Sequence, residues 1–287
     1  MTGSAVPVAL FAALFDDAAL FPPGNAPMSA AIPGHRRHRT SWYADFVGPF
    51  VCADTRLAEV PADVAVSVVV TGGAAAIAGL GPLPHAAALE VPGVETAADA
   101  EAAVAALRAS RPEGSAGFVE VPRGASRPAV LDVLAGTEFF AKFRTGGTVA
   151  SAFPSEAELA EAIVGCAARG LPFKCTAGLH HAVRHTAPDT GFEHHGFLNV
   201  LLATRAATDG VSGVPGASGA SEADVAELLA LRDGAAVADL IRAFTADDVD
   251  RVRRMFLSYG TCDIAEPIED LAALGLIVVP DALEQHV

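Results

Sequence analysis

The sequence predicts a (β/α)8 barrel, an α/β fold in which residues 1–287 form a single domain, and three observations carry that prediction. Short β-branched and aromatic runs alternate with longer Ala/Leu/Glu-rich stretches, the mark of repeated strand–helix units on a parallel sheet. The runs count to eight, and a chain of 287 residues has the length that such barrels use as one unit. Several runs are continuously apolar instead of alternating, as strands covered on both faces must be.

The candidate strands cover 8–15, 50–53, 64–71, 87–91, 117–121, 139–144, 172–176 and 255–259. The first is an apolar run ending at Asp16-Asp17. The second is the weakest, because the segment 22–49 before it is long and holds one poor helix. Helices are expected at 97–109, 127–134, 155–169, 197–207 and 221–244, the last broken at Gly234. Ser155 followed by Glu158 forms a capping box ahead of an apolar stripe, and Thr245 with Asp247 and Asp248 opens a further helix before the eighth strand. A last helix starts near Glu266-Pro267 and ends at Gly275. The Gly/Ser/Pro-rich stretch 209–219 reads as an exposed loop, since the barrel rhythm continues on both sides of it.

Composition excludes several roles. With 52% hydrophobic and 18% charged residues, the chain has apolar side chain enough for a large core. Its 19 Lys and Arg against 34 Asp and Glu give a net charge of −15, which repels phosphate backbones and anionic lipid, so neither nucleic acid nor membrane is an expected partner. The basic run His35-Arg36-Arg37-His38-Arg39 is short enough to be a solvated helix start or loop. Cys52, Cys166, Cys175 and Cys262 form no CxxC pair, which fits neither a zinc ribbon nor a disulfide-rich secreted domain and points to a reducing cytoplasm. The apolar stretch 6–15 has no basic leader, and no apolar run reaches the roughly 20 residues of a membrane span. A cytoplasmic protein acting on a small molecule is expected, with its oligomeric state, a homo-oligomer included, left open.

In a (β/α)8 barrel the C-terminal strand ends converge on one mouth. Here they carry Asp16 and Asp17, Asp54, Glu90, Glu120, Lys142 and Arg144, and Lys174, with His180 and His181 just beyond the seventh strand. Charges inside apolar strands cost several kcal/mol unless paired or solvated. Alternation gives their direction: Lys142 and Arg144 share the interior face, Phe143 faces the helices, and Lys174 shares a face with Thr176. A buried lattice in which Glu90 and Glu120 merely neutralise Lys142 and Lys174 is the competing explanation. Two lysines at a desolvated mouth have a specific chemical use, however. Burial and like charge push an amine pKa down, freeing one lysine to attack a carbonyl while the other moves protons.

The segments Lys142-Phe143-Arg144-Thr145-Gly146-Gly147 and Lys174-Cys175-Thr176-Ala177-Gly178 resemble the paired lysine motifs of class I aldolases of the deoxyribose-phosphate aldolase type. The resemblance covers these two segments, about a tenth of the chain. It implies Lys142 as the Schiff-base lysine and Lys174 as its proton-transfer partner. Arg144 stands where the family has a small residue, and Glu90 where it has an Asp.

The same residues also read as an anion site. Thr145-Gly146-Gly147, Thr176-Ala177-Gly178 and Gly260-Thr261-Cys262 are small-residue turns whose N–H groups suit a phosphate, and Arg144 stands beside them. A similar set of Lys, Arg and Glu serves type II phosphoribosyltransferases, which form no Schiff base. Five of the nine histidines fall in one short stretch: His180, His181, His185, His194 and His195. His181 and His185 are spaced to share a helix face, a spacing that can chelate a metal, but no HExxH, HxH or CxxC pattern accompanies them. Asp16 precedes the rigid loop Phe21-Pro22-Pro23-Gly24-Asn25, a candidate lid.

The sequence thus points to an aldolase-like lyase acting on a small anionic carbonyl compound. Lys142 forms the Schiff base, Lys174 lowers its pKa and relays protons, Glu90 or Glu120 orients them, and His180 or His181 acts as acid–base. Arg144, Thr145, Gly146, Gly147, Thr176, Gly178, Gly260, Thr261 and Asp16 hold substrate, and no cofactor or metal is assigned. The alternatives are group transfer over a phosphate site, a metal-dependent hydrolase or lyase using the histidines, and a barrel that only binds.

Overall fold

A computed structural model describes residues 8–209 and 219–280. Most of the Gly/Ser/Pro-rich stretch lies outside the described residues. The chain runs through β1 (Phe15–Asp17), α1 (Met28–His38), β2 (Val47–Ala53), β3 (Val66–Val69), β4 (Ala86–Val91) and α2 (Ala97–Ser110). It continues through β5 (Ala116–Glu120), α3 (Arg127–Leu134), β6 (Phe140–Arg144), α4 (Glu156–Ala167) and β7 (Phe173–Thr176). A small hairpin follows, β8 (His185–Thr186) and β9 (Glu193–His194), and then α5 (Phe197–Thr208), α6 (Glu222–Ala230), α7 (Gly234–Arg242), α8 (Ala246–Met255), β10 (Phe256–Thr261) and α9 (Ala265–Ala273).

Eight parallel strands close into a barrel in the order β1-β10-β7-β6-β5-β4-β3-β2, so the predicted fold class is the observed one. β10 is the eighth barrel strand because β8 and β9 pair only with each other, antiparallel, inside the loop after β7. None of the helices among the described residues is long and apolar enough to cross a membrane.

The helices start where side chains satisfy their free N–H groups. Capping boxes open α2 (Thr96 with Asp99), α4 (Ser155 with Glu158), α6 (Ser221 with Asp224) and α8 (Thr245 with Asp248). After β2 and β3 the connections are only the 3₁₀ turns Asp54–Glu59 and Ala74–Gly79. Pro61 stops the first soon after it starts, and Gly72, Gly73, Gly79, Gly81, Pro82 and Pro84 punctuate the second too densely for an α-helix.

The first predicted strand is corrected. Residues 8–11 form a 3₁₀ turn that packs on α8, Ala13 takes a positive φ of 46°, and the strand begins only at Phe15. A continuous apolar run buries equally well as a turn, and the carbonyl of Ala12 is satisfied by the guanidinium of Arg253 instead of by a neighbouring strand.

Outside the barrel, strand residues of one parity pack on the helices. Phe143 meets Phe173 edge-on, Phe173 stacks on Phe256, and Tyr259 stacks on Phe197 of α5. The other parity points inward, and there the barrel carries a layer of charge.

Candidate functional site

Strand pairing sets the charged layer. Lys142 of β6 lies in register with Lys174 of β7 on one side and with Glu120 of β5 on the other. Lys174 Nζ donates to Asp16 Oδ2 at 2.6 Å and to Glu90 Oε1 at 2.7 Å, and Lys142 Nζ lies 3.3 Å from Glu90 Oε2 and 3.0 Å from Glu120 Oε2. One carboxylate, Glu90, is therefore clamped between two ammonium groups. Serine hydroxyls complete the acceptors: Ser67 donates to Glu90 at 2.7 Å and Ser258 to Asp16 at 2.8 Å. Lys174 also lies over the face of Phe118, 5.0 Å from the ring centre. Gly48 makes room for Asp16, since a Cβ there would lie 2.2 Å from its Oδ1.

This layer corrects one electrostatic expectation. Burial works to lower the pKa of Lys174, but Asp16 and Glu90 outweigh it and hold the ammonium above its ordinary value. Lys174, expected to relay protons for Lys142, is thus an ammonium held firmly by two carboxylates. The carboxylates share it unequally. Burial works to raise the pKa of Glu90, yet Lys174 and Lys142 together bring it down to about 2, whereas burial prevails at Asp16, which among the described residues is ion-paired to Lys174 alone, and its pKa is raised.

The layer forms the floor of a cavity of about 670 Å³ at the C-terminal ends of the strands. Of the residues singled out from sequence, Glu90, Glu120, Lys142, Arg144, Gly147, Lys174, Thr176, Gly178, His180, His181 and Gly260 line it. Thr145, Gly146, Thr261 and Asp16 do not. Thr145 is fully buried, its N–H bonded to Thr176 O and its hydroxyl to the Ala177 carbonyl, while the Gly146 and Gly178 backbones pack so closely that a Cβ on Gly146 would meet Gly178 Cα at 2.7 Å. Close packing, and not an open cradle, is what these two small residues supply. Asp16 acts from below, through Lys174. Asp17 points the opposite way and pairs with His35 of α1 at 3.0 Å, and Asp54 holds the hydroxyl of Thr71.

At the rim, the Arg144 Nε donates to Gly146 O at 3.0 Å, and among the described residues no carboxylate pairs with its guanidinium. The loop after β7 forms the opposite wall. His181 and His185 do not share a helix face, because the segment is irregular there and passes into the β8–β9 hairpin, yet their rings still meet edge-on at 4.8 Å. His185 lies against His194 at 5.1 Å, and His194 against Phe153 at 4.4 Å, which makes an aromatic wall. Two helix residues missed in the sequence hold the other histidines: Glu266 accepts from His180 Nδ1 at 2.9 Å and Asp270 from His181 Nδ1 at 3.1 Å. Both lie on α9, whose predicted start at Glu266 was the available signal. Asp270 raises the His181 pKa against the effect of burial, while burial lowers those of His185 and His194. The wall thus sets a ring that favours its charged form beside two that favour the neutral form. Among the described residues no group of three or more His, Cys, Asp or Glu is arranged to hold a metal ion.

His195 is structural. It is fully buried and donates Nε2–H to Pro154 O at 2.8 Å, while Arg184 approaches its Nδ1 at 3.2 Å. Burial, helped by Arg184, lowers its pKa to about 4, so the ring is neutral and accepts from the guanidinium. Arg184 is also held by Glu156 and Glu193, which ties the hairpin to α4.

No family model, curated protein or solved structure matches the chain, so the functional reading rests on this geometry.

Proposed function

We propose that this barrel is an enzyme, an aldolase-like lyase that takes a small anionic carbonyl compound through a Schiff base on Lys142. The observation that supports the reading best is the clamp: two lysines in register on adjacent strands, both on Glu90, at the floor of one cavity. An ion-pair lattice that served stability alone would gain nothing from facing a cavity, and buried pairs are weak stabilisers in any case.

Lys142 is the nucleophile of the pair because it also touches Glu120, which is partly exposed and able to carry a proton away. With its proton on Glu120, the Lys142 amine adds to the substrate carbonyl carbon and water leaves to give the iminium. A base takes the proton of the β-hydroxyl, the bond between the α and β carbons breaks with its pair forming an enamine, and the β carbon leaves as a carbonyl. Protonation of the enamine and hydrolysis free the second product and Lys142. Lys174 stays charged between Asp16 and Glu90. It is a fixed cation and hydrogen-bond donor, and proton transfer passes to Glu120 and to the histidine wall. Arg144, free of carboxylates at the rim, takes the anionic end of the substrate in a bidentate grip.

Borohydride reduction in the presence of anionic aldehydes and ketones, sugar phosphates among them, tests this by intact mass. A stable adduct on wild type, mapped to Lys142 and absent from Lys142→Met, is expected. An unlabelled wild type across such a panel overturns the Schiff base.

A further inference from the structure

The cavity holds a second nucleophile, at the end of the strand next to the one that carries Lys174. Cys262 follows β10 and lines the cavity, with its Sγ 3.7 Å from His180 Nδ1 and 4.0 Å from His180 Nε2. The sulfur is within 4.0 Å of both ring nitrogens, close enough for an imidazolium and a thiolate to attract as charges without a linear hydrogen bond. His180 is itself oriented: Glu266 Oε2 accepts from Nδ1 at 2.9 Å, and Thr261 Oγ1 lies 3.4 Å from the same nitrogen. Nucleophile, base and orienting carboxylate follow one another in contact, the arrangement that activates a weak nucleophile.

We propose that Cys262 is a thiolate nucleophile, paired with His180 and held by Glu266, that adds reversibly to an electrophilic carbonyl carbon in this cavity. The sulfur lone pair forms the S–C bond, the carbonyl π pair moves to oxygen, and that oxygen takes a proton from the His180 imidazolium. A hemithioacetal and a neutral imidazole result, and the reverse step restores both partners. No oxidant or other co-reactant is needed. The choice of a carbonyl as target rests on the proposed function, whereas the nucleophilicity of Cys262 does not.

Three further features support the assignment. Burial works to lower the His180 pKa, but Cys262 and Glu266 push it up to about 9, so the ring is charged at neutral pH. Around it also stand His181, which Asp270 holds above its ordinary pKa, and His185 and His194, which burial holds below theirs; protonation of any of the three opposes that of His180. The remaining cysteines are of another kind. Cys52, Cys166 and Cys175 are fully buried and burial raises their pKa values, to about 11 for Cys52 and higher for the other two. Finally, the Pro-rich loop packs on the Cys262 backbone and Cβ, since a Cβ on Gly24 would lie 3.0 Å from Cys262 Cβ and 3.3 Å from Cys262 O, which fixes the residue in the cavity wall.

The test is the rate of alkylation by iodoacetamide at neutral pH, with the modified residue mapped by mass. In wild type Cys262 is expected to be the first cysteine to react, and faster than free glutathione. His180→Asn is expected to slow that reaction several-fold, and Glu266→Gln, which keeps a hydrogen bond but removes the charge, to slow it by less. A wild-type Cys262 that reacts no faster than glutathione, or a rate that neither variant changes, overturns the pair. The target is tested separately with glyoxylate, a small anionic aldehyde, in the Lys142→Met background where no Schiff base forms. Protection of Cys262 from alkylation supports carbonyl addition, and its absence overturns that step. Failure of borohydride trapping would leave both results standing.

Discussion

Lys174→Met measures how strongly the charged layer depends on its central cation. The substitution keeps much of the stem volume and removes the only cation that the described residues place within ion-pair distance of Asp16, whereas Glu90 keeps Lys142. Removing one partner of a buried pair costs about 3–5 kcal/mol, because the orphaned charge stays desolvated. Asp16 is 2% exposed and retains only the Ser258 hydroxyl, so the full range applies to it. Glu90 loses part of its own stabilisation. Its fall from an ordinary 4.5 to about 2 corresponds to about 3 kcal/mol at roughly 1.4 kcal/mol per tenfold change in proton affinity, shared between the two lysines.

The sign with pH separates this mechanism from a general loss of packing. In wild type the depressed Glu90 contributes stability above its ordinary pKa, and that contribution is lost as the pH falls towards about 2. In Lys174→Met the dominant group is Asp16, whose pKa is already raised in the intact protein and rises further without its cation. A raised carboxyl binds its proton more tightly in the folded state, so the variant gains stability as the pH falls from 7 towards 5. Urea denaturation followed by circular dichroism at pH 7 and pH 5 reads both quantities. A deficit of about 3–5 kcal/mol at pH 7 that shrinks at pH 5 is expected. A deficit under about 1 kcal/mol, or one equal at the two pH values, refutes the reasoning. Should the single variant fail to fold at pH 7, Asp16→Asn/Lys174→Met removes the orphaned charge, keeps the bond to Ser258, and is expected to recover stability.

Three other outcomes follow from the geometry. Gly196→Ala puts a Cβ 2.4 Å from both Ala182 O and Val183 Cα, so thermal unfolding should show a loss of about 1–3 kcal/mol or more; an unchanged midpoint would mean that the histidine loop does not dock on α5 in this way. Inorganic phosphate is expected to raise the thermal unfolding midpoint of wild type, Arg144→Ala to lose that rise and Arg144→Lys, without the planar fork, to keep only part of it; no rise in wild type, or an equal rise in all three, refutes an anion site at Arg144. Ser155→Ala breaks the capping box of α4 and is expected to cost about 1 kcal/mol in urea denaturation, with no effect if Glu158 alone satisfies the helix start.

Local signals made the barrel and the floor of its cavity legible. The helix predicted at 127–134 is α3 itself, Ser155 and Thr245 cap the helices they were expected to open, and Lys142 and Arg144 share the cavity face that alternation assigned them. Each of these depends on residues within one turn or one strand. What was not legible depends on residues distant in the chain. Ser258 meets Asp16 across 242 positions, and Glu266 meets His180 across 86, and no spacing rule connects them. Glu266 and Asp270 do lie four apart near the start of a helix, which puts both on one face, but that pattern alone does not show that the face looks onto the histidines.

The pKa of Lys174 shows where a reading of residue types fails most sharply. Two lysines on adjacent strands suggest mutual depression, and so they would act if the interior were otherwise neutral. The sign is instead decided by which acid of the Asp16-Asp17 pair turns inward. Alternation says that the two face opposite ways, and it leaves open which is which. Strand pairing settles the matter, with Asp16 entering the barrel beside Gly48, the position where a side chain would collide with its carboxylate, and Asp17 turning out to His35. With Asp16 inside, Lys174 faces two carboxylates and one lysine neighbour, and attraction exceeds both burial and repulsion. A glycine in a strand opposite a strand-end acid is therefore the signal that fixed the electrostatics of this floor. Gly48→Ala should accordingly displace Asp16 and lower the pKa of Lys174, which nitrogen-15 NMR of the lysine side chains would detect.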